Sequence, residues 1–382
     1  MMKLSRRSAI SIAIIGLAMG ISGCSRMPDT IKIGAAQPLS GDRAALGKDL
    51  VNGVQLAVDE LNKAGFSVDG KTILLEVMAV DDKGNPEEGK KVAQQLVDAG
   101  VVAVIGHFNS GVSIPAAPIY AEKGIAQLSL SSNPKFNQLG HATALRLVAN
   151  DDLQARALGS FAASQITETK FAVVDDGTLY GKGLADAAAK QLEGKKTVAL
   201  RKSYDDKTKD FAALAAQLKA ETIEVVVSTL NDYQIVALIE ALTKIGYNKQ
   251  ITIVGTDTLK TADMAKQADN VGKLLATSSE LEANEFSGGA AYIAAYQTAF
   301  KVAPSYGGHY NYDATHILAA TIKRIKSADP VKITQALRKT DGYAPVTGSM
   351  KWTDTGEQRY GVVSVYNVRG GKWESIMRSD NW

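Results

Sequence analysis

The chain has 382 residues, 45% apolar and 22% charged, the balance of a folded rather than a disordered chain, and at this length two domains are expected. Of its 43 Lys and Arg, three (Lys3, Arg6 and Arg7) lie in a leader segment, and setting them aside leaves 40 basic against 40 acidic residues. That balance excludes a basic surface as an argument for nucleic-acid binding, and a single cysteine excludes an internal disulfide or a zinc site built on two thiolates.

Met1 to Arg7 carries three positive charges and no acid, Ala9 to Met19 is almost wholly apolar, and Ile21-Ser22-Gly23-Cys24 follows. This is the three-part form of a secretory signal peptide, and it is short for a membrane span. Its last four residues resemble a bacterial lipobox. Residues 1–23 are therefore read as a lipoprotein signal peptide, and Cys24 as the lipid-accepting residue. The body is expected outside the cytoplasm, in the periplasm or at the cell surface. Acyl chains would hold it to the membrane at about 0.8 kcal/mol per buried methylene. No apolar run after Cys24 reaches spanning length.

The body alternates strand and helix. Ile31 to Ala36 is a strand candidate; Leu50, Val54, Ala57 and Leu61 then recur at helical spacing, with Gly65 placed as a C-terminal cap. Ile73 to Val80 is the next strand, and Pro86 and Glu87 open a helix with Val92 and Leu96 on one face. A strand at Val101 to Ile105, a helix from Ser113 to Lys123 and a strand at Ile125 to Leu128 follow. The rhythm resumes with strands at Phe171 to Val174, Thr197 to Leu200, Ile223 to Val227 and Ile251 to Val254. Helices at Lys182 to Leu192, Phe211 to Leu218 and Ile235 to Ile245 lie between them. Two helices then come in succession, Ala290 to Phe300 and Asp313 to Ile325, and Tyr360 to Tyr366 alternates as a strand. The pattern predicts an α/β protein with parallel sheets covered on both faces. There are two such series, parted near Ala149, with no low-complexity linker, so two lobes joined by crossing connections are expected.

No catalytic constellation stands out. His107, His141, His309 and His316 form no H-E-x-x-H pair, and there is neither a G-x-S-x-G elbow nor a P-loop. Asp81-Asp82-Lys83-Gly84-Asn85 lacks the ligand spacing and distal glutamate of a calcium loop. The reading is binding rather than catalysis, with no metal or cofactor. Two strand ends run into small polar residues, Gly106 to Gly111 and Ser129 to Pro134. Ligands of open α/β sheets bind at the carboxyl ends of strands, where N–H and hydroxyl groups ahead of a helix can hold an anion. Ser110, Ser131 and Asn133 there would suit a carboxylate, or would simply cap helices.

Several segments recur together in order: Ile33 to Gly41 with Gly47; Val80-Asp81-Asp82 with Asn85-Pro86; Ile105-Gly106-His107 through Ser110, with Pro115-Ala116 and Ile119-Tyr120; Phe171 to Asp176 with Tyr180-Gly181; and Asp210-Phe211, Gly348 and Trp352. On these, the chain from Thr30 onward resembles the periplasmic solute-binding proteins of ABC importers, of the branched-chain amino-acid (leucine/isoleucine/valine-binding) type. The resemblance implies two Rossmann-like lobes of the type I periplasmic binding protein fold, joined by a three-strand hinge and closing on a ligand. It maps the first lobe to residues 30–147 plus 278–357 and the second to 148–277 plus 360–382.

The resemblance also assigns roles. Ser110 would bind a ligand α-carboxylate, and Ser131 would present a backbone group to the head of an amino acid. Asn133 stands where the family usually has a threonine. Tyr180 would close over the ligand from the second lobe. Asp257 stands where a glutamate often pairs with the α-ammonium; it could instead cap a helix beginning near Leu259. Leu46, Phe108, Asn231, Tyr233 and Tyr306 are possible pocket residues, with Leu46 and Asn231 falling where the family can offer aromatic rings. Gly84 and Asn109 replace a cysteine pair of some members. Arg43 is read as part of a solvated turn, with contact to a ligand acid group as the alternative. The implied function is the extracytoplasmic substrate-binding component of an ABC importer, a monomer that delivers a small α-amino acid to permease subunits. The alternatives are the same fold sensing an amide, urea or an aromatic acid, and an exported enzyme.

Overall fold

The computed structural model describes residues 27–379. The expected signal segment 1–23, Cys24 and residues 380–382 lie outside them.

Two sheets organise the chain. In the first, Thr30–Gln37 lies between Leu74–Asp81 and Ala103–Gly106, and Ala126–Ser129 and Ala144–Arg146 follow outward, all parallel. In the second, Lys170–Asp175 lies between Thr197–Ser203 and Val225–Ser228, followed by Thr252–Gly255 and Lys273–Ser278, again all parallel. The two sheets thus repeat one strand order. The second is extended by the antiparallel strands Ser364–Arg369 and Lys372–Arg378.

The sequence explains the central strands. Ala103–Gly106, Val225–Ser228 and Thr252–Gly255 are buried at every residue, as expected of short, largely apolar runs covered on both faces. Helix Ala44–Lys63 turns Leu50, Val54 and Ala57 inward, as their spacing predicts. Helix Pro86–Asp98 is started by Asn85, whose side chain accepts from the N–H groups of Glu87 and Glu88 at 2.9 and 3.1 Å.

Several boundaries differ from the sequence pattern, among them the starts of the helices expected from Lys182 and Ile235, which lie at Leu179 and Asp232. The helix expected from Ser113 begins at Ser110 and runs to Glu122. Ser110 and Gly111 read as loop residues, but the Asn109 carbonyl accepts from Val112 and Ser113 N–H and winds the first turn. The helix expected from Asp313 begins at Gly308. Its start is held by Asp49, whose carboxylate accepts from the N–H groups of Ser305, Tyr306 and Gly308. The strand expected from Tyr360 pairs only from Ser364, because the preceding residues carry the chain between the sheets. Near Leu259 there is a single 3-10 turn, Asp257–Leu259, and then the short helix Ala262–Ala265.

The chain passes from the first sheet to the second after Arg146, back after Ser278, and over again before Ser364. In between, helix Gly308–Ile325 places Leu318 and Ile322 in the same apolar core as Ile33 and Val54. The second sheet has its own cores, around Phe211, Leu238 and Ile253 on one face and Phe171, Val227 and Val254 on the other. Among the described residues no helix is long and apolar enough to cross a membrane.

Candidate functional site

A cavity of about 300 Å³ lies between the two sheets. Nearly all of its wall comes from segments that leave the carboxyl ends of strands, in both lobes. This is where an open α/β sheet binds its ligand.

The first lobe supplies Phe108, Ser110 and Ser132. The segment before Ser110 is fixed by a buried chain of polar groups. His107 Nδ1 lies 2.7 Å from Asp82 Oδ2, and its Nε2 lies 3.0 Å from the Tyr120 hydroxyl. The His107 carbonyl accepts from the hydroxyls of Ser113 and Ser129 at 2.8 and 2.6 Å. Ser110 is therefore presented rigidly at the first turn of a 13-residue helix, whose N-terminal dipole favours an anion. Ser132 is buried beside it.

The second lobe supplies Thr178, Tyr180 and Asp257. Asp257 is 4% exposed. Its Oδ2 accepts from the Tyr180 hydroxyl at 2.6 Å and from Gln154 Nε2 at 2.9 Å, and its Oδ1 accepts from Ser279 N–H at 2.7 Å. Burial and the neighbouring carboxylates push the Tyr180 hydroxyl well above the ordinary tyrosine range, so it stays a donor. Glu280, on the second crossing, lines the same cavity, and its Oε2 accepts from the Tyr306 hydroxyl at 3.1 Å. Tyr306 packs edge-on against Phe108, ring centroids 5.5 Å apart.

Ser110, Tyr180, Asp257, Phe108 and Tyr306 are thus brought to one cavity. Ser131, Asn133, Leu46, Asn231 and Tyr233 do not line it. The Ser131 carbonyl accepts from the fully buried Arg146 guanidinium, which also reaches the Asn133 carbonyl at 3.0 Å and Glu357 at 2.8 Å. Ser132, between them, faces the cavity instead. The Asn133 side chain bridges the lobes: its Nδ2 donates to the Leu179 carbonyl at 3.0 Å and its Oδ1 accepts from Lys135 N–H at 3.0 Å. Leu46 packs against the first-lobe core. The Asn231 amide is engaged by Arg43, Asp176 and Gln234. Tyr233 donates to the Asp206 carbonyl at 2.6 Å, which steadies the Asp206 loop at the cavity wall.

Arg43 corrects the reading as a solvated turn: it lines the cavity and donates to Asn231 across the lobes. Glu280 and Ser132 were not singled out in the sequence. Ser132 lies between two residues that were, whereas no local signal marks Glu280, which sits in Ser279-Glu280-Leu281 like any surface acid. Gly84 and Asn109 are neighbours at the wall; a Cβ on Gly84 would lie 3.4 Å from Asn109 Oδ1. Among the described residues no group of three or more His, Cys, Asp or Glu side chains is arranged to hold a metal ion.

The arrangement offers an anion two hydroxyls and a helix N-terminus, and offers a cation two carboxyl groups. A periplasmic binding protein family profile matches residues 30–372. The chain is 31% identical over 347 residues to the Leu/Ile/Val-binding protein BraC3 of Rhizobium johnstonii, covering 90% of this chain and 92% of that one. Its fold is similar to that of the branched-chain amino acid transporter substrate binding protein LivJ of Streptococcus pneumoniae, solved with isoleucine. There the TM-score is 0.80 at 24% identity, over 91% of this chain and 99% of that one. It is also similar to a solute binding protein of an ABC transporter from Rhodopseudomonas palustris, solved with 3,4-dihydroxybenzoic acid. In that case the TM-score is 0.78 at 19% identity, over 92% and 97% of the two chains.

Proposed function

Because the chain belongs to the periplasmic binding protein family, with Leu/Ile/Val-binding proteins among its relatives, we propose that this solute-binding component of an ABC transporter captures a small α-amino acid between its lobes. The observation that carries the reading is a buried carboxylate, Asp257, in the same cavity as Ser110 and the helix N-terminus behind it. An α-amino acid carries both complements. Its carboxylate would accept from Ser110, Ser132 and nearby N–H groups, and its ammonium would donate to Asp257. Charge-assisted hydrogen bonds of this kind are the stronger class. A side chain would lie against Phe108, Leu130 and Tyr306, an apolar wall suited to an aliphatic group.

Closure follows from contact with both lobes. A ligand held by Ser110 on one side and Asp257 on the other binds the closed form better than the open one, and so shifts the population. The permease subunits that would receive the ligand are other chains. In this reading the body is a monomer anchored at the membrane through Cys24, with residues 30–147 and 278–357 moving against 148–277 and 360–382.

A second reading rests on a specific feature. Two carboxyl groups at one place could each accept a phenolic hydroxyl, so an aromatic acid with hydroxyls on its ring would also find partners. A thermal-shift panel separates the two. Amino acids should raise the melting temperature by mass action, and hydroxybenzoates should not. A rise with hydroxybenzoates alone would overturn the amino-acid reading.

A further inference from the structure

One feature of the cavity exceeds what a single ammonium requires. Asp257 alone would neutralise it, and Asp257 is already held by Tyr180, Gln154 and Ser279. Glu280 is a second carboxyl group, 3% exposed, on the wall of the same cavity. The Ser279 N–H that Asp257 binds is one residue before Glu280, so the backbone itself fixes the two acids as neighbours.

Two carboxylates confined together cannot both remain ionised without a counter-charge. The groups facing this pair supply little: the Arg43 guanidinium, on the wall of the same cavity, donates to Asn231. Lys260 is the one nearby ammonium, but it is turned away: it donates to the Glu280 carbonyl and forms an ion pair with Glu282 Oε1 at 3.2 Å. Tyr306 donates to Glu280, and Tyr310 gives its hydroxyl to Leu281 N–H as acceptor. On the Asp257 side, Tyr180 donates, and Asp151, whose carboxyl burial pushes up to about 7, supplies no positive charge. Burial first, and the Asp257 charge second, hold the Glu280 carboxyl well above the usual range, against the smaller pull of Lys260 and Tyr306.

Resting on the amino-acid reading, we propose that Glu280 and Asp257 together form the ammonium subsite, that the pair shares one proton in the ligand-free protein, and that the ligand's ammonium displaces this proton to solvent. The positive charge of the ammonium replaces that of the proton, so the pair is neutralised to the same extent before and after. Capture of a primary amine is then coupled to proton release, and affinity rises with pH. The slope is at most about tenfold per pH unit, for one proton released. Ligands without an amine gain nothing from this exchange. The second carboxyl group therefore makes amine capture pH-dependent, which a single ionised carboxylate would not.

Two measurements on the full chain test this. The first is a carboxyl-carbon NMR titration of ligand-free protein, with Glu280 assigned through Glu280→Gln. A Glu280 resonance that titrates well above the ordinary glutamate range supports the shared proton; an ordinary titration overturns it. The second is calorimetry with leucine at pH 7 in phosphate and in Tris, whose ionisation heats differ. Release approaching one proton per leucine, lost in Glu280→Gln, is the expected result. Leucine binding with no buffer dependence in the unaltered chain overturns the inference and leaves the amino-acid reading standing. A high Glu280 titration with leucine, other amino acids and simple amines all inert overturns the amino-acid reading, and the ammonium role of the pair with it.

Discussion

The Arg43 guanidinium donates to Asn231 Oδ1 at 2.8 Å, joining the turn after the first strand of one lobe to a helix N-cap of the other. The Asn133 Nδ2 bond to the Leu179 carbonyl also joins the two lobes. Both ties exist only when the lobes are together. In the proposed closure they would bias the open–closed equilibrium without touching the carboxylate or ammonium of a ligand.

Arg43→Ala should therefore act on release more than on selectivity. Losing one partly buried hydrogen bond costs about 1 kcal/mol, roughly a fivefold shift. Stopped-flow fluorescence should show ligand dissociating about fivefold faster with the rank order of ligands preserved. A changed rank order would mean that Arg43 reads the ligand itself.

Asp257→Asn should remove the anionic partner at nearly the same volume, its single amide oxygen accepting either from Ser279 N–H or from Gln154 and Tyr180 but not from both sides. The loss expected from a buried charge pair is about 3 kcal/mol, near 100-fold in affinity for an amino acid. Calorimetry measures it directly. A loss below about threefold would show that the ammonium does not sit at Asp257.

Asp82→Ala should act through His107. It leaves a fully buried imidazole nitrogen without its 2.7 Å partner, at a cost of about 2 kcal/mol in urea unfolding. The same variant should weaken ligand binding, because the segment leading to Ser110 is no longer held. Unchanged stability would mean that the buried chain Asp82–His107–Tyr120 does not fix this segment.

Asp151 gives a pH-dependent outcome. Burial, with Asp257 adding to it and Ser132 and Arg146 opposing, pushes its carboxyl up to about 7. The folded chain therefore holds this proton more tightly than the unfolded chain. The stability contributed by the group is complete below about pH 4 and is lost as pH rises through about 7. Asp151→Asn has nothing to ionise. Its stability relative to the unaltered protein should rise between pH 4 and pH 8, on the order of 4 kcal/mol. Urea unfolding at the two pH values checks this, and a pH-independent difference would contradict it.

The two parallel sheets were legible because their strands are short apolar runs and the helices between them show clear periodicity. Ser110 was legible for the same reason, since it follows a strand that announces itself, whereas Ser131 and Asn133, expected with it, leave the cavity wall to Ser132 between them. What the sequence hid is long-range. The helix at Gly308 starts where Asp49 caps it, and Arg146 turns the Ser131 and Asn133 carbonyls away from the cavity. Neither contact leaves a local trace. Glu280 was invisible because nothing in its neighbours distinguishes a buried acid from an exposed one; only the chain crossing that carries it to Asp257 does so. Arg43 was misjudged because a turn residue is exposed in an isolated lobe and becomes a wall residue when two lobes meet.

The most direct test takes the amino acid with the largest thermal shift and compares it, by calorimetry, with the same molecule lacking its amine and with the same molecule lacking its carboxylate. The cavity of Ser110, Ser132, Asp257 and Glu280 predicts that each deletion weakens binding at least 100-fold, about 3 kcal/mol. An acid without an amine that binds as tightly as the amino acid would contradict an ammonium subsite, and with it the assignment of this protein to amino-acid capture.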